Sequence, residues 1–528
     1  MLDQHSLAPR LPLLTGAALL LLAASIARDG PEPAASLERG RELYAQHCAV
    51  CHGETGDGRG QAAYLLSPAP RDFSEGLFRV ASTWNGVPTD ADLAQTLRRG
   101  MPGSSMPPWE WLPERDLQSL VLWVRELTRE GAVRRLLEWA EWEEEELTRE
   151  EALAIVEPQL VPGEPIPPVG AVPGDPITLQ EGRRIFVRSC ASCHGADGTG
   201  RGADEQRNAD GTPVRPRDLT AGVFKGGASP DDIARRVLAG MPGSPMPQTR
   251  LEEPGQVEAV VAYALSLARP GAQERALQRR QRLVAGRVAE LPAAPTDPAW
   301  AAAEAAYLPL MPLWWSDARV EGVAFRALHD GRRLAVRLTW ADPCAEAELL
   351  DQAGFSDAAA LQWSAGPDPP LFTMGSAGKP CNLWQWKAAW ERDRDGPLDV
   401  ADRYPHTPDD QYGVVDAPSS ALYRTATAAG NTQAAATRPT AGEVLAAEGF
   451  GTLAPIAGRR GAFEARGVWA DGTWDVVFTR ALPAGAPAEL ALEPGREVFV
   501  AGAVWNGAAG ERNGQKAVTV WHVLHLEP

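Results

Sequence analysis

The run Cys48-Ala-Val-Cys51-His52 returns as Cys190-Ala-Ser-Cys193-His194, and no other feature limits so tightly what this chain can fold into. Two thiols at C-x-x-C spacing can add to the vinyl groups of one haem while the next His reaches its iron. Each copy therefore calls for a pocket built around a covalently held porphyrin. A thioredoxin-like redox pair would sit in a βαβ pattern, which surrounds neither motif, and the motif context disfavours a zinc site.

The surroundings repeat as well. Gly40-Arg-Glu-Leu-Tyr44 matches Gly182-Arg-Arg-Ile-Phe186, PRDFSEGLFR from Pro70 matches PRDLTAGVFK from Pro216, and MPGSSMP from Met101 matches MPGSPMP from Met241. Each copy closes on an apolar helical stretch, LQSLVLWVREL or VEAVVAYALSL. This arrangement resembles the class I cytochrome c fold over residues 36–132 and 178–269. In that family a Met before the last helix is the sixth iron ligand, and each copy here offers two, Met101 or Met106 and Met241 or Met246. Met106 and Met246 are favoured, because each directly precedes a Pro in the S-x-M-P segment, the part of the loop nearest the last helix. Methionine often only fills a core, but four of the seven in the chain fall in these two loops. A thioether ligand raises the reduction potential and suits electron transfer better than gas binding.

The chain of 528 residues carries a net charge of −18, so no basic surface for nucleic acid is expected. At this length about three domains are expected. Arg10 precedes an uncharged run, Leu11–Ala27, with Ser25-Ile26-Ala27 suited to signal cleavage. Residues 1–27 are therefore expected to be an export signal or an N-terminal anchor, placing the protein in the periplasm with a possible membrane tether. Residues 133–177 read as a linker: an acidic helix from Glu138 to Glu157 that could dock a basic partner or simply stay solvated, then a Pro-rich spacer. Residues 270–295 read as a second, helical linker.

From about residue 296 the pattern changes to strands. Asp330-Gly331 and Asp471-Gly472 join alternating runs into hairpins, REVFVAGAVW and KAVTVWHVLHL add two more strands, and Asp393–Thr440 reads as a long loop. The expected fold is therefore multidomain: two all-α modules followed by a mainly β, sandwich-like domain over 296–528. MGSAGKPCNLWQWKAAW (374–390), EGFGTLAP (448–455), GVWADGTWDVVFTRAL and GERNGQKAVTVW (510–521) resemble the haem b-binding subunit of ethylbenzene dehydrogenase and other type II dimethyl-sulfoxide-reductase family enzymes. The resemblance implies one non-covalent haem b held between a Met and a Lys. It also implies partners: the catalytic and iron–sulfur subunits of a molybdenum enzyme, with a soluble or membrane redox partner beyond.

Only four lysines stand among 51 basic residues. Arg keeps its proton and has no lone pair for iron, whereas a buried Lys can lose its proton and coordinate. Met374 with Lys516 is the preferred pair, with Lys387 as runner-up and Lys379 less favoured. His406, His522 and His525 are rival ligands, although the spacing of the last two places them on opposite strand faces. Cys344 and Cys381 remain after the haem cysteines, and in an oxidising compartment they are expected to pair and clamp the Met374 loop. The chain thus reads as an electron-transfer subunit with two haems c and one haem b, and no bond-making chemistry of its own. A stand-alone dihaem cytochrome with a C-terminal binding domain, and a peroxidase or sensor with an open iron, are the alternatives.

Overall fold

The computed structural model describes residues 34–202, 206–349, 353–366, 368–371, 374–396, 403–406, 438–456, 463–486 and 489–528. The export segment and most of the expected long loop lie outside these residues.

Ser36 starts helix α1 (Leu37–His47) by accepting the Arg39 N–H at 3.2 Å. Helix α2 (Asp90–Arg99) opens in a Thr89/Asp92 capping box, and α3 (Glu114–Trp142) carries the apolar stripe Leu117, Leu120, Val121 and Val124 against Leu43 and Tyr44. The crossing of α1 and α3 needs a glycine. A Cβ on Gly40 would stand 2.0 Å from the Ser119 carbonyl oxygen, and a Cβ on its repeat partner Gly182 would stand 2.0 Å from that of Ala259.

The acidic run is not one helix. α3 continues past residue 132 to Trp142, the chain turns through Glu144 at φ 59°, and α4 (Arg149–Gln159) restarts in a Thr148/Glu151 capping box. Glu143 to Glu146 are exposed in that turn, where like charges repel less than they would on a continuous helix. The second module repeats the first with α5 (Pro176–Ser189), α6 (Pro230–Ala239) and α7 (Gln256–Ser266).

The helical linker expected over 270–295 is also corrected. It holds one short helix, Ala272–Ala276, and then strand β1 (Arg282–Arg287), which runs inside the sheet. Leu283 and Ala285 alternate into the core at 3% and 0% exposure, so strand partners override the helical leaning of the neighbouring arginines.

The β domain continues with β2 (Gly322–His329), β3 (Arg333–Ala341), β4 (Ala358–Ser364), β5 (Cys381–Lys387) and β6 (Gly442–Ala447). Then follow β7 (Phe463–Ala470), β8 (Thr473–Ala481), β9 (Glu497–Trp505), β10 (Ala517–Val518) and β11 (His522–Leu526). The main spatial order is β6-β5-β4-β9-β11-β1-β2-β3-β8-β7. Both pairings of β1 are parallel. Both expected hairpins form, β2–β3 and β7–β8, the second with Asp471 and Gly472 at φ 49° and 75°.

The sheet curls until its ends meet, with Ala441 N–H donating to Ala465 O at 3.2 Å. Its two halves enclose a core rich in Trp340, Trp363, Trp384, Trp386 and Trp474. The KAVTVWHVLHL segment is broken into β10 and β11, because Thr519 turns inward to accept the Gly502 N–H at 2.8 Å.

Candidate haem sites

The two C-x-x-C-H segments each form one short helical turn at the end of α1 or α5. His52 Nδ1 lies 3.1 Å from Arg71 O, and His194 Nδ1 lies 3.3 Å from the matched Arg217 O. Donation to a carbonyl fixes the tautomer and leaves Nε2 with a lone pair for iron. Burial lowers both imidazole pKa values, which keeps the rings neutral. Cys48, Cys51, Cys190 and Cys193 are all free of disulfides.

The methionine loops match bond for bond. Met101 N–H donates to Met106 O at 3.0 Å and Met241 N–H to Met246 O at 3.1 Å, while Ser104 and Ser244 hydroxyls each donate to the first Met carbonyl at 2.7 Å. Met106 packs against the cluster that includes Cys48, Ala49, Leu97 and Trp109. In the second module the matching loop is the argument for Met246, since neither of its methionines joins the cluster around Cys190.

The modules face each other about a pseudo-two-fold axis. Arg217 Nη2 donates to Gly103 O at 2.5 Å, and reciprocally Arg71 Nη1 would lie 3.3 Å from a Cβ on Gly243. Arg71 and Arg217 occupy the same place in the repeat, as do Arg79 and Lys225. Burial lowers the pKa of Lys225 far below its ordinary value, and Arg217, Arg79 and Arg71 lower it further. No carboxylate is paired with Lys225 among the described residues. A buried cationic group with this deficit of negative charge fits the propionates of the two haems that the cysteines would hold.

In the β domain, alternate residues of β4, β5 and β9 face away from the tryptophan core. Ala358, Ala360, Ala501 and Ala503 make this outer shelf of small side chains. Met374 packs at one end with Cys381, Leu445, Ala501 and Trp521. Its φ of 70° is unusual for a side chain of this kind, and its carbonyl accepts the Gly449 N–H at 2.9 Å.

Lys516 lies at the other end, its Nζ 4.8 Å from the Trp505 ring centroid. Ala501 and Trp505 share a strand face about 13 Å apart, and Met374 and Lys516 are the residues at its two ends that would hold a haem iron. Burial lowers the Lys516 pKa to about 8, so its amine readily becomes a ligand. The other lysines of this domain are engaged: Lys387 with Glu443 at 2.6 Å and Lys379 with Asp368 at 2.5 Å.

The rival ligands fare differently. Gln281 N–H donates to His522 Nδ1 at 3.1 Å, so the proton sits on Nε2 and no lone pair is available there. His522 is buried on the core side of β11, His525 is on the opposite face, and His406 is exposed. The expected Cys344–Cys381 disulfide is absent; both thiols are free, and Cys381 Sγ lies 3.2 Å from Gln362 Nε2. Cys344 sits near Glu346, whose carbonyl bonds Asp357 beside the Ala358–Lys387 end of the sheet. Cys381 begins β5 at its far end, about 20 Å along the strand, well beyond disulfide reach.

His47 and Arg280 are functional candidates that sequence reasoning missed. The His47 ring lies tilted, 5.0 Å from Trp109, and the Arg280 guanidinium lies 5.0 Å from Trp111 and 5.2 Å from Phe499. His47 directly precedes Cys48, which was the available signal; nothing in the sequence marked Arg280.

Family profiles match three stretches of the chain: ethylbenzene dehydrogenase over residues 297–517, cytochrome c oxidase cbb3-type subunit III over 35–124, and cytochrome c over 179–268. The chain joins two cytochrome c domains to an ethylbenzene dehydrogenase domain. It is a haem electron-transfer protein. A protein named as a respiratory nitrate reductase haem subunit from Haloferax mediterranei is 28% identical over 245 residues, 45% of this chain and 69% of its own. Chlorate reductase subunit gamma of Ideonella dechloratans is 27% identical over 211 residues, 40% of this chain and 66% of its own. The chain thus spans about two thirds of each of these relatives. A chain of the Kuenenia stuttgartiensis reducing HAO-like protein complex is 30% identical, with 45% of this chain and 99% of that one covered, at a TM-score of 0.37. No helix among the described residues is long and apolar enough to cross a membrane. The ethylbenzene dehydrogenase domain supplies the Met374–Lys516 shelf, and the cytochrome c domains supply the two His–carbonyl pairs.

Proposed function

We propose that the chain is an exported, periplasmic subunit carrying two haems c and one haem b, and that it relays electrons between a molybdenum oxidoreductase and a respiratory-chain partner. Cys48, Cys51, His52 and Met106 hold the first haem, Cys190, Cys193, His194 and Met246 the second, and Met374 with Lys516 the third. The carrying observation is that Met374 and the one described lysine of the β domain without a carboxylate partner share a single apolar shelf. Bound there, the haems supply reversible one-electron chemistry. The chain's own residues set orientation, exclude water and balance propionate charge.

The nitrate and chlorate reductase relatives support a molybdenum enzyme with iron–sulfur clusters as partner. The presence of two candidate ligands for each haem, His52 and Met106, His194 and Met246, and Met374 and Lys516, favours this reading over the open-site alternative. Carbon monoxide added to the dithionite-reduced protein tests this: unchanged spectra are expected, and a shifted Soret band would contradict six-coordination. Affinity capture followed by molybdenum and iron quantification tests the partner. A captured complex without molybdenum would favour a stand-alone cytochrome.

A further inference from the structure

We propose that the three haems stand in the order b, first c, second c, with electrons crossing between the β domain and the first cytochrome at the Cys51 edge. The inference rests on the haem b reading above and adds the route. Cys51, a point of haem attachment, packs against the cluster of Leu66, Met311, Leu313 and Val518, and Ala503 packs against the same cluster. Ala503 belongs to the shelf, and Val518 follows Lys516 by two residues. One side chain that carries the first haem therefore packs on the same apolar cluster as Ala503, a residue of the floor on which haem b would rest.

The same junction is joined through main-chain bonds. Ser67 N–H donates to Leu313 O at 2.9 Å, Leu313 N–H donates to Lys516 O at 2.9 Å, and Trp315 N–H donates to Ser67 O at 2.8 Å. Gly514 lies so close to the first cytochrome that a Cβ there would stand 2.7 Å from a Leu65 methyl carbon. Electron tunnelling decays faster across gaps than through bonded and packed atoms, and this junction offers both bonds and packing.

Among the described residues, the second cytochrome shows no such junction. The apolar cluster around Cys190 contains no residue of the β domain. Among the described residues, its contacts with that domain are polar or stacked, as in Arg215–Asp317 at 3.2 Å, Arg269–Glu321 at 3.2 Å and Arg217 over Trp315 at 4.0 Å. Toward the first cytochrome it presents the buried two-fold interface of Arg217 and Gly103. Each transfer moves one electron: iron(II) on one side becomes iron(III) as the iron on the other is reduced, in either direction and with no proton.

Pulsed EPR distance measurement on the fully oxidised, fully loaded wild-type protein tests the order. The b to second c distance should be the longest of the three. A b to second c distance equal to or shorter than b to first c overturns the order, even with all three haems present. Absence of the b signal from the same spectrum instead refutes the haem b reading, and the proposal with it. In Gly514→Val, with haem content checked, the flash-induced b-to-c phase should slow at least tenfold while the c-to-c phase keeps its rate. An unchanged b-to-c phase would also overturn the proposal.

Discussion

Lys387 donates to Glu443 at 2.6 Å and lies 4.1 Å from the Trp390 ring. That pairing satisfies its charge, whereas Lys516 has burial without a counter-charge among the described residues. Lys516→Ala should therefore lose haem b or convert it to a high-spin, five-coordinate form. Lys387→Ala should retain the wild-type b spectrum and lose only stability. Optical and magnetic circular dichroism spectra of the two variants check this, and the reverse pattern would reassign the ligand to Lys387.

The matched glycines offer a test that does not involve haem b. A methyl at Gly40 would overlap the Ser119 carbonyl, and one at Gly182 the Ala259 carbonyl. Gly40→Ala should remove covalent haem from the first module and leave the second loaded, and Gly182→Ala should do the opposite. Each variant should yield half the covalent haem by haem-stained gel and peptide mass spectrometry.

Glu511 is 5% exposed, and burial, with a smaller contribution from the Asp357 charge, raises its pKa to about 7. Its proton is bound more tightly in the folded chain than in the unfolded one. The penalty for ionising it is absent below about pH 4.5, grows as pH rises and is complete above about pH 7. Glu511→Gln should accordingly stabilise the protein at pH 8 by about 2 kcal/mol and change little at pH 4.5. Thermal melts at the two pH values check the sign.

Lys225 sits in a buried cationic cluster with Arg71, Arg79 and Arg217. Propionates bound beside it would restore the Lys225 proton, and a cation near a haem favours the reduced state, since reduction adds negative charge. Lys225→Met should therefore lower the midpoint potential of at least one haem c, as read by spectroelectrochemical titration, with covalent haem content unchanged.

The cytochrome c modules were legible because covalent attachment fixes residue types and spacing: Cys48, Cys51 and His52 have no substitutes, and the repeat duplicated every supporting segment. The β hairpins were legible for a similar local reason, since Asp-Gly at 330–331 and 471–472 selects the turn. Strand β1 was not legible, because its burial comes from β11 and β2, which lie far away in sequence. The break between Trp142 and Arg149 was hidden by a composition that favours helix throughout, and is visible only once Thr148 and Glu151 form their cap. The Cys344–Cys381 pairing failed because counting cysteines says nothing about their separation along a strand. Scarcity of lysine singled out a small group of residues, but preferring Lys516 over Lys379 and Lys387 rests on the positions of Asp368 and Glu443.

Haem stoichiometry tests the central claim most directly. A pyridine haemochrome assay with acid–acetone extraction of the purified wild-type protein should give two haems retained on the polypeptide for each haem extracted. A fully loaded protein that releases no haem would contradict the three-haem account and leave a dihaem cytochrome with an appended β domain.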